Sequence, residues 1–264
     1  MDIKTTPQGL LIYLTMTAFL LAASLLRTKQ KALGHGFWFA GFVAATASLI
    51  YRGLHTGHPP MQNLFEFFLC MAAMLWPLSK LSRWQSGANT DFQDALLGLL
   101  ILFPAGFVFS EEPRRLPPAL QSPLFIPHVG SYVAGYIMLA RAALMALPLF
   151  SRACATDREL LARADRGSRQ TAAIGFMLVT SGLLLGAVWG KICWSNYWQW
   201  DPKEMWSLAT WLVYAAYFHY RLKNGTRAPR VLAALLMLGL LFIVLTLTWI
   251  NLSRLFPGVH NYAS

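Results

Sequence analysis

Apolar runs close to the length of a bilayer crossing recur along this chain, and they restrict its fold more than any other feature. Eight candidate spans lie near residues 9–26, 36–53, 63–81, 94–110, 128–150, 170–190, 204–220 and 231–250. Roughly 20 apolar residues in a helix cross the hydrocarbon core. Lipid offers the backbone no hydrogen-bond partner, so such runs satisfy their own N–H and C=O groups as helices. Composition agrees: 56% of the 264 residues are hydrophobic and 12% are charged, whereas roughly 25% of a soluble domain is charged. The expected fold is all-α, one polytopic membrane domain over residues 1–264 with about eight transmembrane helices. The fourth run holds Pro104 and Gly106 and is expected to be kinked or to span imperfectly. The first, from Leu10 to Leu26, is longer than a signal-peptide core and has only Lys4 as a preceding positive charge, so it reads as a retained helix.

The net charge is +11. In a soluble protein this would suggest nucleic acid, but cytoplasmic loops of membrane proteins collect Lys and Arg for a plainer reason. One alternating set of loops carries 14 Lys and Arg residues and the other carries seven, with Arg141 inside a span. The richer set is expected in the cytoplasm, which places both termini outside. His55, His58, His128, His260 and the whole 191–203 loop then fall at the outer face, while His35 and His219 fall toward the cytoplasm. Cys70, Cys154 and Cys193 form no Cys-x-x-Cys pair, which argues against dithiol chemistry.

Six of the ten tryptophans fall within the 23 residues from Trp189 to Trp211. An interfacial belt accounts for two or three tryptophans at a helix end. A broad aromatic platform also suits a flat ligand, because stacked rings gain apolar burial and a preferred offset geometry. Physical chemistry alone leaves both readings open. Within the segment, Asp201-Pro202-Lys203-Glu204 has the pattern of a helix start: Asp as N-cap, Pro at the first helical position, and Glu three residues after the cap. Such an end presents N–H groups and partial positive charge, which suits an anionic group.

The run Trp189-Gly190-(x)3-Trp194-(x)2-Tyr197-Trp198-x-Trp200-Asp201-Pro202-Lys203-Glu204-x-Trp206 resembles the tryptophan-rich (WWD) signature of the haem-handling proteins of cytochrome c maturation. Thr210-Trp211 and Tyr217-Phe218-His219-Tyr220-Arg221 look most like the CcsA (ResC) branch. The related CcmC branch shares the aromatic loop but differs after Trp-Asp. Lys191-Ile192 stands where the family usually has Asn-Glu, and Cys193 replaces a small residue. The resemblance implies that haem b is carried as a substrate and docked on the loop at about 189–206, where Trp189, Trp194, Tyr197, Trp198, Trp200, Asp201 and Trp206 would contact it.

His128 opens the fifth run in Pro127-His128-Val129, and His260 lies in Gly258-Val259-His260-Asn261-Tyr262. A single interfacial His is usually a polar anchor, yet haem iron takes axial imidazoles. The charge argument puts both residues beside the tryptophan loop, and the resemblance implies that they are the axial ligands of an outer haem. It implies for His219 an inner haem site, against the plainer reading of an interfacial anchor beside Tyr220 and Arg221. Arg52-Gly53-Leu54-His55-Thr56-Gly57-His58-Pro59-Pro60-Met61-Gln62-Asn63-Leu64-Phe65-Glu66 also resembles a family motif. Glu66 reads physically as a buried hydrogen bond that fixes helix packing; a haem role for His58 stays open.

The expected function is therefore haem delivery to the outer face of the inner membrane and presentation to apocytochrome c, as the haem-binding subunit of a holocytochrome c synthase, with a CcsB (ResB) partner. No catalytic side chain is assigned, because cofactor and substrate thiols carry the chemistry. The alternatives are a haem-containing membrane electron carrier, a CcmC-like delivery protein and a small-solute transporter.

Overall fold

The computed structural model describes residues 3–151 and 156–248. Among them are eight helices and no strand: α1 (Pro7–Leu26), α2 (Lys31–Thr56), α3 (Leu64–Ser86), α4 (Asp91–Phe107), α5 (Phe125–Ala146), α6 (Arg158–Trp194), α7 (Pro202–Asn224) and α8 (Pro229–Leu247). Each matches one expected run. The stretches Pro7–Leu26, Lys31–Thr56, Leu64–Ser86, Phe125–Phe150, Arg158–Trp194 and Pro229–Leu247 are long and apolar enough to cross a membrane. Helix α4 falls short with 17 residues and an internal Pro104. Helix α7 starts on Lys203 and Glu204 and ends on Arg221 and Lys223, which dilutes its apolar character. The chain is an all-α, multi-pass membrane protein.

Helix α6 is the largest departure from expectation, with 37 residues where 21 were expected over 170–190. Asp157 caps it by accepting from the Glu159 and Leu160 N–H groups at 2.9 and 3.0 Å. An Arg163–Glu159 pair one turn apart supports the polar start. Hydropathy reports only the part of a helix that lipid covers, so this extension was invisible to it.

The chain forms two compact units. The first runs to Arg83 and takes in Asn89–Gln121. Phe19, fully buried on α1, lies where a Cβ on Gly41 of α2 would come within 2.4 Å of its ring and one on Gly98 of α4 within 2.6 Å. Absent side chains at two glycines thus let three helices close on one phenyl ring. Both ends of this unit are tied by ions. At one end Asp91, 1% exposed, accepts from Lys80 Nζ at 3.1 Å and Arg83 at 3.4 Å and lies 3.1 Å from His35 Nδ1. At the other, Arg52 Nε donates to Glu66 Oε1 at 3.0 Å, with both side chains buried. The same guanidinium reaches the Glu111 and Glu112 carbonyls, and Glu66 Oε2 accepts from Gln62 N at 2.9 Å.

The second unit holds Trp84–Ala88 and the chain from Ser122 onward. Its centre is the α5–α6 contact. A Cβ on Gly135 would meet Val179 at 2.7 Å, and one on Gly175 would meet Leu139 at 2.7 Å. Small residues that let backbones approach drive such packing in lipid, where burial of apolar surface gives no net gain between helices. At the far end of α6, Asp165 takes both terminal nitrogens of Arg221, joining it to α7.

The Arg52–Glu66 pair yields a stability prediction. Glu66→Gln leaves a buried guanidinium without its counter-charge, which costs about 3–5 kcal/mol. Thermal unfolding in detergent should show a lower midpoint for Glu66→Gln; an unchanged midpoint would contradict the tie.

Candidate functional site

The candidate site lies in the second unit, where the first turn of α5 meets the last turns of α6. His128 sits on that first turn. A carbonyl oxygen only accepts hydrogen bonds, so the 2.8 Å contact between His128 Nδ1 and the Gly182 carbonyl makes Nδ1–H the donor. The ring is packed on two sides: Tyr132 meets it edge-on at 5.3 Å, one helical turn along α5, and Trp189 of α6 lies tilted at 5.5 Å. Trp189 is buried and in turn meets Trp194 edge-on at 5.1 Å. One imidazole and the first two tryptophans of the aromatic segment therefore form a continuous cluster.

Helix α6 stops at Ser195, which adopts the left-handed conformation with φ of 62°. The chain then runs as an irregular loop to the start of α7. Asp201 is the N-cap: its Oδ1 accepts from Glu204 N at 2.9 Å, and Glu204 Oε2 accepts in return from Asp201 N at 3.3 Å. The capping box expected from sequence is complete. Glu204 does more than that motif requires, since Oε2 also accepts from Gln199 N at 2.7 Å. The carboxylate thus binds the N–H groups on both sides of Trp200. That clamp bends the intervening residue into φ of +58°, a region that tryptophan seldom enters. The bend turns the Trp200 indole outward, 67% exposed, with Trp198 edge-on to it at 6.1 Å. Tyr197 is also exposed, under the Lys191 ammonium at 5.6 Å.

The remaining expected residues divide. Trp206 faces α8, edge-on to Phe242 at 5.4 Å, and Trp211 donates from Nε1 to Thr180 Oγ1 at 2.9 Å; both fasten α7 to its neighbours. His219 is exposed on α7. It lies 13 residues beyond Trp206, about 20 Å at the helical rise of about 1.5 Å per residue. The structure does not bring it to the His128 cluster. His260 lies outside the described residues. His58 belongs to the first unit, where its Nδ1 lies 3.0 Å from the Pro59 carbonyl and its Nε2 3.0 Å from the Arg114 carbonyl. Both nitrogens face backbone acceptors, so His58 pins a loop, and Glu66 has the packing role expected of it.

Sequence reasoning missed Gly182, Gly186 and Tyr132. Their signal is spacing: Gly182, Gly186 and Gly190 recur every four residues on α6, as do His128, Tyr132 and Tyr136 on α5, so each set lines one helix face. The double grip of Glu204 has a spectroscopic consequence. Glu204→Ala should release Trp200 from its left-handed backbone and weaken the near-ultraviolet circular dichroism of the Trp198–Trp200 pair. An unaltered spectrum would show that the clamp does not hold the ring.

The profile of the family described as cytochrome C assembly protein matches residues 61–256, which takes in His128, the tryptophan loop and His219. The cytochrome c biogenesis protein CcsA of Synechococcus sp. (strain CC9902) is 32% identical, over 82% of this chain and 82% of its own length. The protein of the same name from Coffea arabica is 25% identical, over 84% of this chain and 83% of its own. By this profile and these relatives, the chain belongs to the cytochrome c assembly protein family.

Proposed function

We propose that this protein acts in cytochrome c maturation by holding haem b, its transported substrate, on the tryptophan loop and presenting it to apocytochrome c. The observation that carries this reading is the His128 cluster: an imidazole whose Nδ1–H is committed to the Gly182 carbonyl, set against Trp189 and Trp194 in a chain of the cytochrome c assembly family. Among the described residues no three His, Cys, Asp or Glu side chains gather to hold a bare metal ion. Porphyrin brings four nitrogens of its own, so the protein need supply only axial ligands. His128 and His260 fill that role, and the exposed faces of Tyr197 and Trp200 are the aromatic surface over which the macrocycle lies. Asp201 and Glu204 hold that surface in place and start α7 beneath it.

The protein sits in the inner membrane with both termini and the tryptophan loop outside, following the distribution of Lys and Arg. His219, toward the cytoplasmic side of α7, serves a second haem position on the inward route. Apocytochrome c approaches from outside with its two cysteines and histidine. Each thiol adds across a haem vinyl group: sulfur bonds one carbon, hydrogen the other, and no electrons are gained or lost. The incoming histidine replaces one axial ligand. A separate CcsB (ResB) membrane partner completes the holocytochrome c synthase.

Two experiments test this reading. The purified protein should carry a low-spin absorption spectrum of bis-histidine type that disappears in His128→Ala combined with His260→Ala; its persistence would sink the ligand assignment. A deletion strain should lose all c-type cytochromes and keep its b-type ones. Loss of electron transfer with c-type cytochromes intact would point instead to a resident electron carrier.

A further inference from the structure

His128 does not merely occur near the tryptophans; it is fitted into α6. A Cβ placed on Gly186 would lie 2.5 Å from His128 Cε1, 2.9 Å from Nδ1 and 3.4 Å from Nε2. Any side chain there would strike the imidazole at Cε1, so the ring occupies the space that a Cβ at Gly186 would fill. One turn earlier, Gly182 has two contacts. Its carbonyl takes the Nδ1–H at 2.8 Å, and its bare Cα face lies against Tyr132, whose ring a Cβ would approach to 2.8 Å. Tyr132 closes the ring from the α5 side and Trp189 from the α6 side. The imidazole is thereby fixed in both position and tautomer.

We infer that Gly182 and Gly186 are positioning residues that seat His128 so that Nε2, and not Nδ1, is the nitrogen that binds haem iron. This inference rests on the reading of His128 as an axial ligand. A histidine that binds a metal through one nitrogen commonly donates the other N–H to a carbonyl or carboxylate. That bond selects the tautomer, orients the ring and makes the ligating nitrogen more basic. Gly182 supplies the acceptor from its backbone, and Gly186 supplies the clearance. Losing such support typically costs about 10–100-fold in affinity for the bound group.

The full chain, purified with its own haem or reconstituted with ferric protoporphyrin IX, provides the test. Gly186→Ala should lower haem affinity about 10–100-fold, shift the reduction potential and weaken the low-spin spectrum. Millimolar imidazole should restore that spectrum, as it should for His128→Ala. Gly175→Ala is the packing control, because its Cβ would strike Leu139 at 2.7 Å on the same α5–α6 seam and not the imidazole; it should keep the wild-type spectrum. A wild-type spectrum and potential in Gly186→Ala would overturn the seat, and so would an equal change in Gly175→Ala. If Gly186→Ala does not accumulate, adding His128→Ala should restore accumulation by removing the clash, and failure to do so would overturn the inference. A wild-type spectrum in His128→Ala alone would instead overturn the ligand reading.

Discussion

Where α5 meets α6, each helix gives up side chains so that the other can come close. Gly135 opens a place for Val179, Gly175 for Leu139, Gly182 for Tyr132 and Gly186 for His128. The second unit depends on this alternation. In water such a seam would be weak, because glycine buries little apolar surface and costs about 1 kcal/mol in a helix relative to alanine. In lipid the balance changes: apolar side chains gain nothing by leaving hydrocarbon, and close backbone approach with dispersion contact decides the packing. The same seam then continues to His128 without a break. Its first two contacts are aliphatic, and its last two hold a phenol and an imidazole.

The number and order of the helices were legible in the sequence because the bilayer imposes one rule on every span. Their limits were less so. The polar start of α6 from Arg158 lies where hydropathy is silent, and α4 and α7 are helices whose composition does not match a simple span. At the site, the helix start at Asp201 was fully readable, since each of its residues has a local reason to be there. The contact between His128 and Gly182 was not, because it joins residues 54 apart and depends on how two helices cross. A spacing of four glycine to glycine hints at a cleared face, but it does not say which side chain will fill it.

The two units deal with buried charge by similar means. In the first, Arg52 and Glu66 neutralise each other and use their remaining capacity on backbone groups of neighbouring loops. In the second, Arg221 meets Asp165 with two parallel bonds, the geometry in which guanidinium and carboxylate match best. A lone ion at either place would be expensive, whereas a satisfied pair becomes a fixed point, to which loops are attached in the first unit and which joins α6 to α7 in the second. Such fixed points leave His128 and the loop beyond Ser195 to be shaped by finer contacts.

Trp200 shows what those finer contacts cost. Its left-handed backbone would be held more cheaply by glycine or asparagine. A design procedure that scored stability alone would replace it and register an improvement. The indole is therefore an expense that folding does not recover, and under the proposed function its return lies outside the fold, in the flat macrocycle laid against the ring. In that reading the position marks where this chain gives up thermodynamic comfort for recognition.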